Sequence, residues 1–209
     1  MNLIKKLQWR YATKKFDDKK LLTTEKINTL KLAFNLTATS YGLQPIKLVI
    51  FSNKNLQKEL VEYTMDQQQL AQASHVLVFC IETTIDKIFI SNYFNRVHQI
   101  RNTPKHILAP FRNFLIDDFE KMTQDQIFDW ATKQAYLAMG NLLTVCAIEQ
   151  IDACPMEGFI PEKYDEILQL NQQGLKSVLV MPIGYRAKDD MFADFKKVRK
   201  ELSLSIIEM

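Results

Sequence analysis

The run TQDQIFDWATKQAYLAMGNLLTVCAIEQ, Thr123–Gln150, constrains the fold of this chain more than any other stretch. Thr123 and Gln126 have the spacing of a capping box, which fixes where a helix begins. The first half is amphipathic, with Ile127, Trp130 and Ala131 set against Asp129 and Lys133. The second half, YLAMGNLLTVCAI, is apolar nearly all round. Such a helix belongs in a core or a subunit interface. Its apolar part is too short and too polar-flanked for a membrane span.

Three other runs, 46–52 (IKLVIFS), 74–81 (SHVLVFCI) and 177–185 (SVLVMPIGY), predict buried strands. They are short, rich in β-branched residues and bounded by turn signals. The C-terminal LSLSIIE alternates with a period near two and predicts a weaker fourth strand, paired within its own sheet or onto a partner's. TTEKINTLKLAFNLTATS predicts a helix capped by Thr23 or Thr24, and DKIFISNYFNRVHQIR another. HILAPFRNFLIDDFEKM predicts a third, interrupted at Pro110. Few strands among long helices indicate an α+β fold, an α/β sandwich. No linker or repeat divides the 209 residues, so a single domain over 1–209 is expected.

A net charge of +3 does not call for a nucleic acid, and no stripe of cations interleaved with aromatics extends beyond residues 9–16. Cys80, Cys146 and Cys154 form no CxxC pair and lie in apolar stretches, which indicates buried free thiols. MNLIKKLQWRYATKKF lacks the apolar core of a signal peptide, and no run reaches membrane length. A cytoplasmic protein is the expectation.

Side-chain catalysts are scarce. GxSxG, Walker A, GxGxxG and HExxH are missing. His75, His98 and His106 lack metal-ligand spacing, so no metal site is expected. His75 reads as a hydrogen-bonded structural residue, and His98 and His106 as surface helix residues. The carboxylate pairs Asp117–Asp118 and Asp189–Asp190 read as solvated faces. A chain of this kind is a binding module, or an enzyme whose cofactor carries the chemistry.

Two cation groups could hold an anionic cofactor. Arg10, Lys14 and Lys15 lie in QWRYATKKF, and Lys196, Lys197, Arg199 and Lys200 lie in DFKKVRKEL. Arginine grips phosphate bidentately and lysine supplies a point charge. Trp9 and Phe16 read as packing residues that fix the first group in place.

Taken together, RYATKKFD, TATSYGLQPIKLVIF, QLAQASHVLVFC, WATKQAYLAMGNLLTVCAIEQIDACPMEGF, SVLVMPIGY and DFKKVRKEL resemble the FMN-dependent nitroreductase family. The resemblance spans essentially the whole chain. It points to the branch of oxygen-insensitive NAD(P)H nitroreductases, flavin reductases and dihydropteridine reductase-like enzymes. It implies a central mixed sheet wrapped by helices, in an intertwined homodimer whose C-terminal extension reaches onto the partner. FMN sites shared between subunits would then be expected, with NAD(P)H as electron donor.

Residue by residue, the resemblance places Arg10, Lys197 and Arg199 at the FMN phosphate and Tyr11 and Ala12 on the same binding segment. Lys14 corresponds to a cation at the flavin pyrimidine edge, where it favours negative charge on the reduced ring. Ala38, Thr39 and Ser40 match a partner-subunit loop along the flavin, and Asp66 and Gln69 stand where relatives place an asparagine and a lysine. Pro155, Met156, Glu157 and Gly158 match the segment against the ring and N5. Lys14 and Glu157 are thereby the implied catalytic positions. Phe111, Phe114 and Leu115 are candidates for substrate contact. Ala12 stands where relatives commonly carry serine, and Ala38 where they carry proline.

The implied activity is ping-pong two-electron reduction of nitroaromatics, quinones, flavins or dihydropteridines by NAD(P)H through flavin N5. The alternative is a non-catalytic flavin-binding or redox-sensing module of the same fold. Neither nucleic acid nor membrane is an expected partner.

Overall fold

A strand that is apolar on both faces requires a core on each side. The run 75–82 is such a strand, with Val76, Leu77, Val78, Phe79, Cys80 and Ile81 all fully buried. Alternate residues point to opposite faces. Leu77, Phe79 and Ile81 enter a large core, while Val76, Val78 and Cys80 enter a second one.

The computed structural model describes residues 2–209. In chain order it runs α1 (Leu3–Trp9), α2 (Thr24–Asn35), β1 (Ile46–Phe51), α3 (Lys54–Glu59), α4 (Gln69–Gln72), β2 (His75–Glu82), α5 (Lys87–Arg101), α6 (Lys105–Glu120), α7 (Gln124–Ile148), β3 (Asp152–Ala153), α8 (Pro161–Ile167) and β4 (Leu175–Gly184). The sheet order is β1-β2-β4-β3, and every strand pair is antiparallel. The parallel component expected of the sheet is confined to one bridge, Ala12 to Ala153. The α+β sandwich read from the sequence is the observed architecture.

Thr123 caps α7, and the full capping box forms with Gln126. One face of α7 is buried through Ile127, Ala131, Gln134, Ala135, Ala138, Met139, Leu142 and Cys146, the spacing of a 3.6-residue period. The opposite face, with Lys133, Tyr136, Leu137 and Gly140, is exposed in the single chain. Each fully buried large apolar side chain in this core contributes about 1.5–3 kcal/mol.

Three sequence expectations change. Strand β1 is a half-buried edge rather than a buried strand, because it has a neighbour on one side alone. Helix α6 continues through Pro110 without interruption; the proline removes one donor and the flanking turns carry on. The C-terminal LSLSIIE is no strand here. It carries a short 3-10 turn, Leu202–Leu204, and residues 194–209 are exposed because no sheet edge of the same chain pairs with them. Among the described residues no helix is long and apolar enough to cross a membrane.

Candidate functional site

The segment after α1 has few ladder bonds of its own, so side chains and isolated bridges hold it. Thr13 N–H donates to Ala153 O at 3.2 Å. Lys14 and Lys15 N–H both donate to Asp190 Oδ2 at 3.0 Å, and Tyr11 Oη donates to the same oxygen at 2.7 Å. Phe16 bridges Arg186, and its ring is buried in the second core. Arg186 lies between the rings of Trp9 and Tyr11, 4.2 and 4.6 Å from their centroids. Its Nε donates to Asp152 Oδ1 at 2.7 Å and its backbone N–H to Oδ2 at 2.8 Å. Trp9 and Tyr11 thus pack a partly buried ion pair, and QWRYATKKF is bonded into the folded body.

Arg10 stands at the mouth of this arrangement beside Lys197 and Arg199. Lys197 Nζ donates to Arg10 O, which ties the C-terminal segment to the N-terminal one. Burial and the neighbouring Arg199 lower the Arg10 pKa; burial, Arg10, Arg199 and Arg186 lower that of Lys197. Among the described residues no carboxylate forms an ion pair with Arg10, Lys197 or Arg199. A cavity of about 470 Å³ opens there, lined by Arg10, Tyr11, Ala12, Pro155, Lys197 and Arg199 among others. Like charges gathered without counter-charge form an anion-attracting site.

The far end of the segment meets the 152–159 turn. The Cys154 thiol is pushed up by burial, an effect opposed by the charge of Lys14 and a hydrogen bond from Gln69. Gln69 Nε2 also donates to Gln67 Oε1 at 2.9 Å. Met65 and Asp66 adopt left-handed backbone, φ 51° and 54°, rare for side chains of their kind. This loop abuts Gly158, where a Cβ would stand 2.8 Å from Met65 Sδ. Met156 N–H donates to Val180 O and Val180 N–H donates back to Met156 O, so the turn lies along β4, and among the described residues the Glu157 and Gly158 amides have no hydrogen-bond acceptor. Glu157 accepts a hydrogen bond from Tyr136 Oη at 2.9 Å.

Ala38, Thr39 and Ser40 sit elsewhere on the chain. Ser40 N–H donates to Gln134 Oε1 of α7, and the Thr39 hydroxyl accepts from Gln44 N–H. No hydrogen bond joins these residues to Arg10–Phe16 or to the C-terminal cations among the described residues. Next to this loop, Tyr41, Phe111 and Phe114 form an aromatic layer, Tyr41 to Phe111 at 6.3 Å and Phe111 to Phe114 at 6.2 Å. Both phenylalanines are exposed. Leu115, on the same helix, is fully buried in the large core, where its side chain packs.

Other sequence expectations meet the structure as follows. All three thiols are free and buried. His75 opens β2 and shares a 2.8 Å hydrogen bond with Ser74, as read for a structural histidine. Asp190 is no solvated carboxylate: four hydrogen bonds draw it into the fold, and its exposure is 4 %. Arg186, Asp152 and Asp190 went unread as site residues. Apart from the Phe192 amide, the hydrogen-bond partners that fix them are 34 to 179 positions away, so local spacing carries no trace of them.

With the site drawn, comparison places it. The family profile described as Nitroreductase family matches residues 7–185, and the chain belongs to that family. It is 29% identical over 218 residues to the oxygen-insensitive NAD(P)H nitroreductase of Salmonella typhimurium, covering 100% of both chains. A crystal structure from Bacillus subtilis described as the nitroreductase ydfN superposes with a TM-score of 0.88 at 18% identity, covering 99% of this chain and 98% of that one. Another from Exiguobacterium sibiricum, described as a nitroreductase and solved in complex with FMN, gives 0.85 at 14%, covering 100% and 98%.

Proposed function

We propose that the chain is an FMN-dependent NAD(P)H oxidoreductase that reduces nitroaromatics, quinones, flavins or dihydropteridines by a ping-pong exchange. The observation that carries this reading is the group of Arg10, Lys197 and Arg199, unpaired with any carboxylate, around one cavity. The FMN complex of a structural neighbour and the name of the Salmonella relative support it.

The residues present fit a phosphate-bearing planar cofactor. Three cations suit a phosphate dianion, and arginine's fork suits its oxygens. Bound FMN would supply two-electron transfer, which accounts for the lack of a side-chain catalyst. Arg10, Lys197 and Arg199 would hold the phosphate, with Tyr11 and Ala12 along the same segment. Lys14 would place a positive charge at the pyrimidine edge. The turn of Pro155, Met156, Glu157 and Gly158 would face the ring through the unbonded Glu157 and Gly158 amides, with Asp66 and Gln69 beside it. Phe111 and Phe114 would offer flat apolar surface to an aromatic acceptor.

Ala38, Thr39 and Ser40 would reach the flavin of a second subunit, since their bonds in this chain lead to α7. A homodimer would also cover the exposed face of α7 and the apolar tail residues Leu202, Leu204, Ile206 and Ile207. The test is direct. The purified chain should carry or take up FMN, visible as flavin absorbance, and should oxidise NADH or NADPH with a quinone or nitroaromatic acceptor. A colourless chain that takes up no FMN overturns the reading. Bound FMN without turnover favours a flavin-binding or redox-sensing module.

A further inference from the structure

We propose that Asp190 is a positioning residue that fixes the spacing between the two cationic segments of the flavin site; this rests on the flavin reading above. Asp190 lies outside both segments and its carboxylate is bonded to each. Its Oδ2 accepts from Tyr11 Oη at 2.7 Å and from the Lys14 and Lys15 amides at 3.0 Å. Its Oδ1 accepts from Phe192 N–H at 3.1 Å, at the start of the segment that carries Lys197 and Arg199. One carboxylate therefore orients the backbone from which Lys14 projects and the turn from which the phosphate cations descend. The neighbouring bond from Ala187 N–H to Lys15 O, 2.9 Å, lies in the same junction and reinforces it.

The chemistry requires the carboxylate form. Four donors converge on two oxygens, and an asparagine offers one acceptor oxygen and an NH₂ that cannot accept. Asparagine at 190 leaves either the Phe192 amide or the three N-terminal donors facing another donor. A buried donor left unpaired relaxes by moving, which shifts the segments against each other.

Asp190 also carries a negative charge close to an anion site. That makes the sign of the outcome decisive. A carboxylate acting through its charge alone repels phosphate, so its neutralisation strengthens FMN binding. A carboxylate that positions the cations makes FMN binding weaker when it is lost, even though a repulsive charge is removed. Riboflavin, which lacks the phosphate, reads the ring end alone.

The experiment titrates the flavin-free full chain with FMN and with riboflavin by fluorescence quenching, wild type against Asp190→Asn, with thermal midpoints alongside. FMN affinity is expected to fall by about tenfold or more. The preference for FMN over riboflavin is expected to fall as well. Tighter FMN binding by the variant overturns the proposal. So does an equal weakening of both ligands that follows a lowered thermal midpoint, which marks a purely structural role. A wild-type chain that binds neither flavin overturns the flavin reading and this proposal together; a wild type that binds FMN with an unaffected variant overturns the proposal alone. If Asp190→Asn does not fold, Asp190→Glu keeps the charge but moves both acceptor oxygens by one methylene. It is expected to lower the FMN preference by about two- to fivefold, and an unchanged preference overturns the proposal.

Discussion

Two segments supply cations to one cavity, and the chain treats them in opposite ways. Residues 10–17 are stitched to three parts of the body: to β3 through Thr13, to Asp190 through Tyr11, Lys14 and Lys15, and to the end of β4 through Phe16 and Asp17. Residues 196–209 touch the body mainly through Lys197 and Arg10, and their side chains are exposed. Within the single chain, similar composition thus yields a wall stitched to the body on one side and a flap with few bonds to it on the other. The contrast lies in tertiary partners: Phe16 has a core to enter and Phe195, 60 % exposed, has none. Preorganised groups bind without an ordering cost, and unheld ones must be fixed at the moment of binding. On this basis the wall supplies geometry and the flap supplies charge.

The same substitution at both sites is the strongest way to break that contrast. Phe16→Ala should destabilise the chain by about 3–5 kcal/mol in chemical denaturation, because it opens a cavity in the second core. Phe195→Ala should change stability by no more than about 0.5 kcal/mol. A loss at Phe195 as large as that at Phe16 would mean that the tail is buried in the assembled protein.

Arg199→Ala asks whether the flap contributes charge alone. It should weaken FMN binding by about ten- to a hundredfold, the worth of one charge-assisted phosphate contact. The denaturation midpoint without flavin should stay in place. A fall in stability without a change in FMN affinity would reverse the assignment of roles between flap and wall.

A smaller effect sharpens the wall's side. Burial raises the Asp190 pKa, but hydrogen bonds from Tyr11 and from the Lys14, Lys15 and Phe192 amides outweigh it and hold the group below its ordinary value. The stability this confers is complete above the unfolded aspartate value of about 3.9 and is lost as pH falls through the folded-state value. Wild type should therefore lose stability on acidification more steeply than Asp190→Asn. Parallel pH profiles would show that Asp190 is not held as its contacts indicate.

The smallest expected effect is at Ala12. It lines the cavity and bridges Ala153, at the position where the family resemblance leads one to expect serine. Ala12→Ser should tighten FMN by about 0.5–1.5 kcal/mol, one added hydrogen bond. An unchanged dissociation constant would place the position out of reach of the cofactor.

The periodic elements were readable in one dimension. The capping box of α7, the apolar runs of β2 and β4 and the burial of the three thiols follow from spacing and side-chain type, since a period of 3.6 or two already specifies a face. The grouping of Arg10 with Lys197 and Arg199 was readable through resemblance. Three things depended on the folded chain. The tail's alternation suggested a strand, but pairing needs a free edge within reach. Leu115 shares its stretch with Phe111 and Phe114, yet the helix turns it into the core. Arg186, Asp152 and Asp190 gain their roles from partners far along the chain.

From its sequence alone this protein had a determined fold class, a dominant helix and two sets of cations, because hydrophobic periodicity and charge are local properties. Tertiary structure decided which carboxylates are buried, which cations stay unneutralised and which segment is held. Those depend on distances between residues remote in sequence, and hydrogen bonding and desolvation act over a few ångströms whatever the separation along the chain.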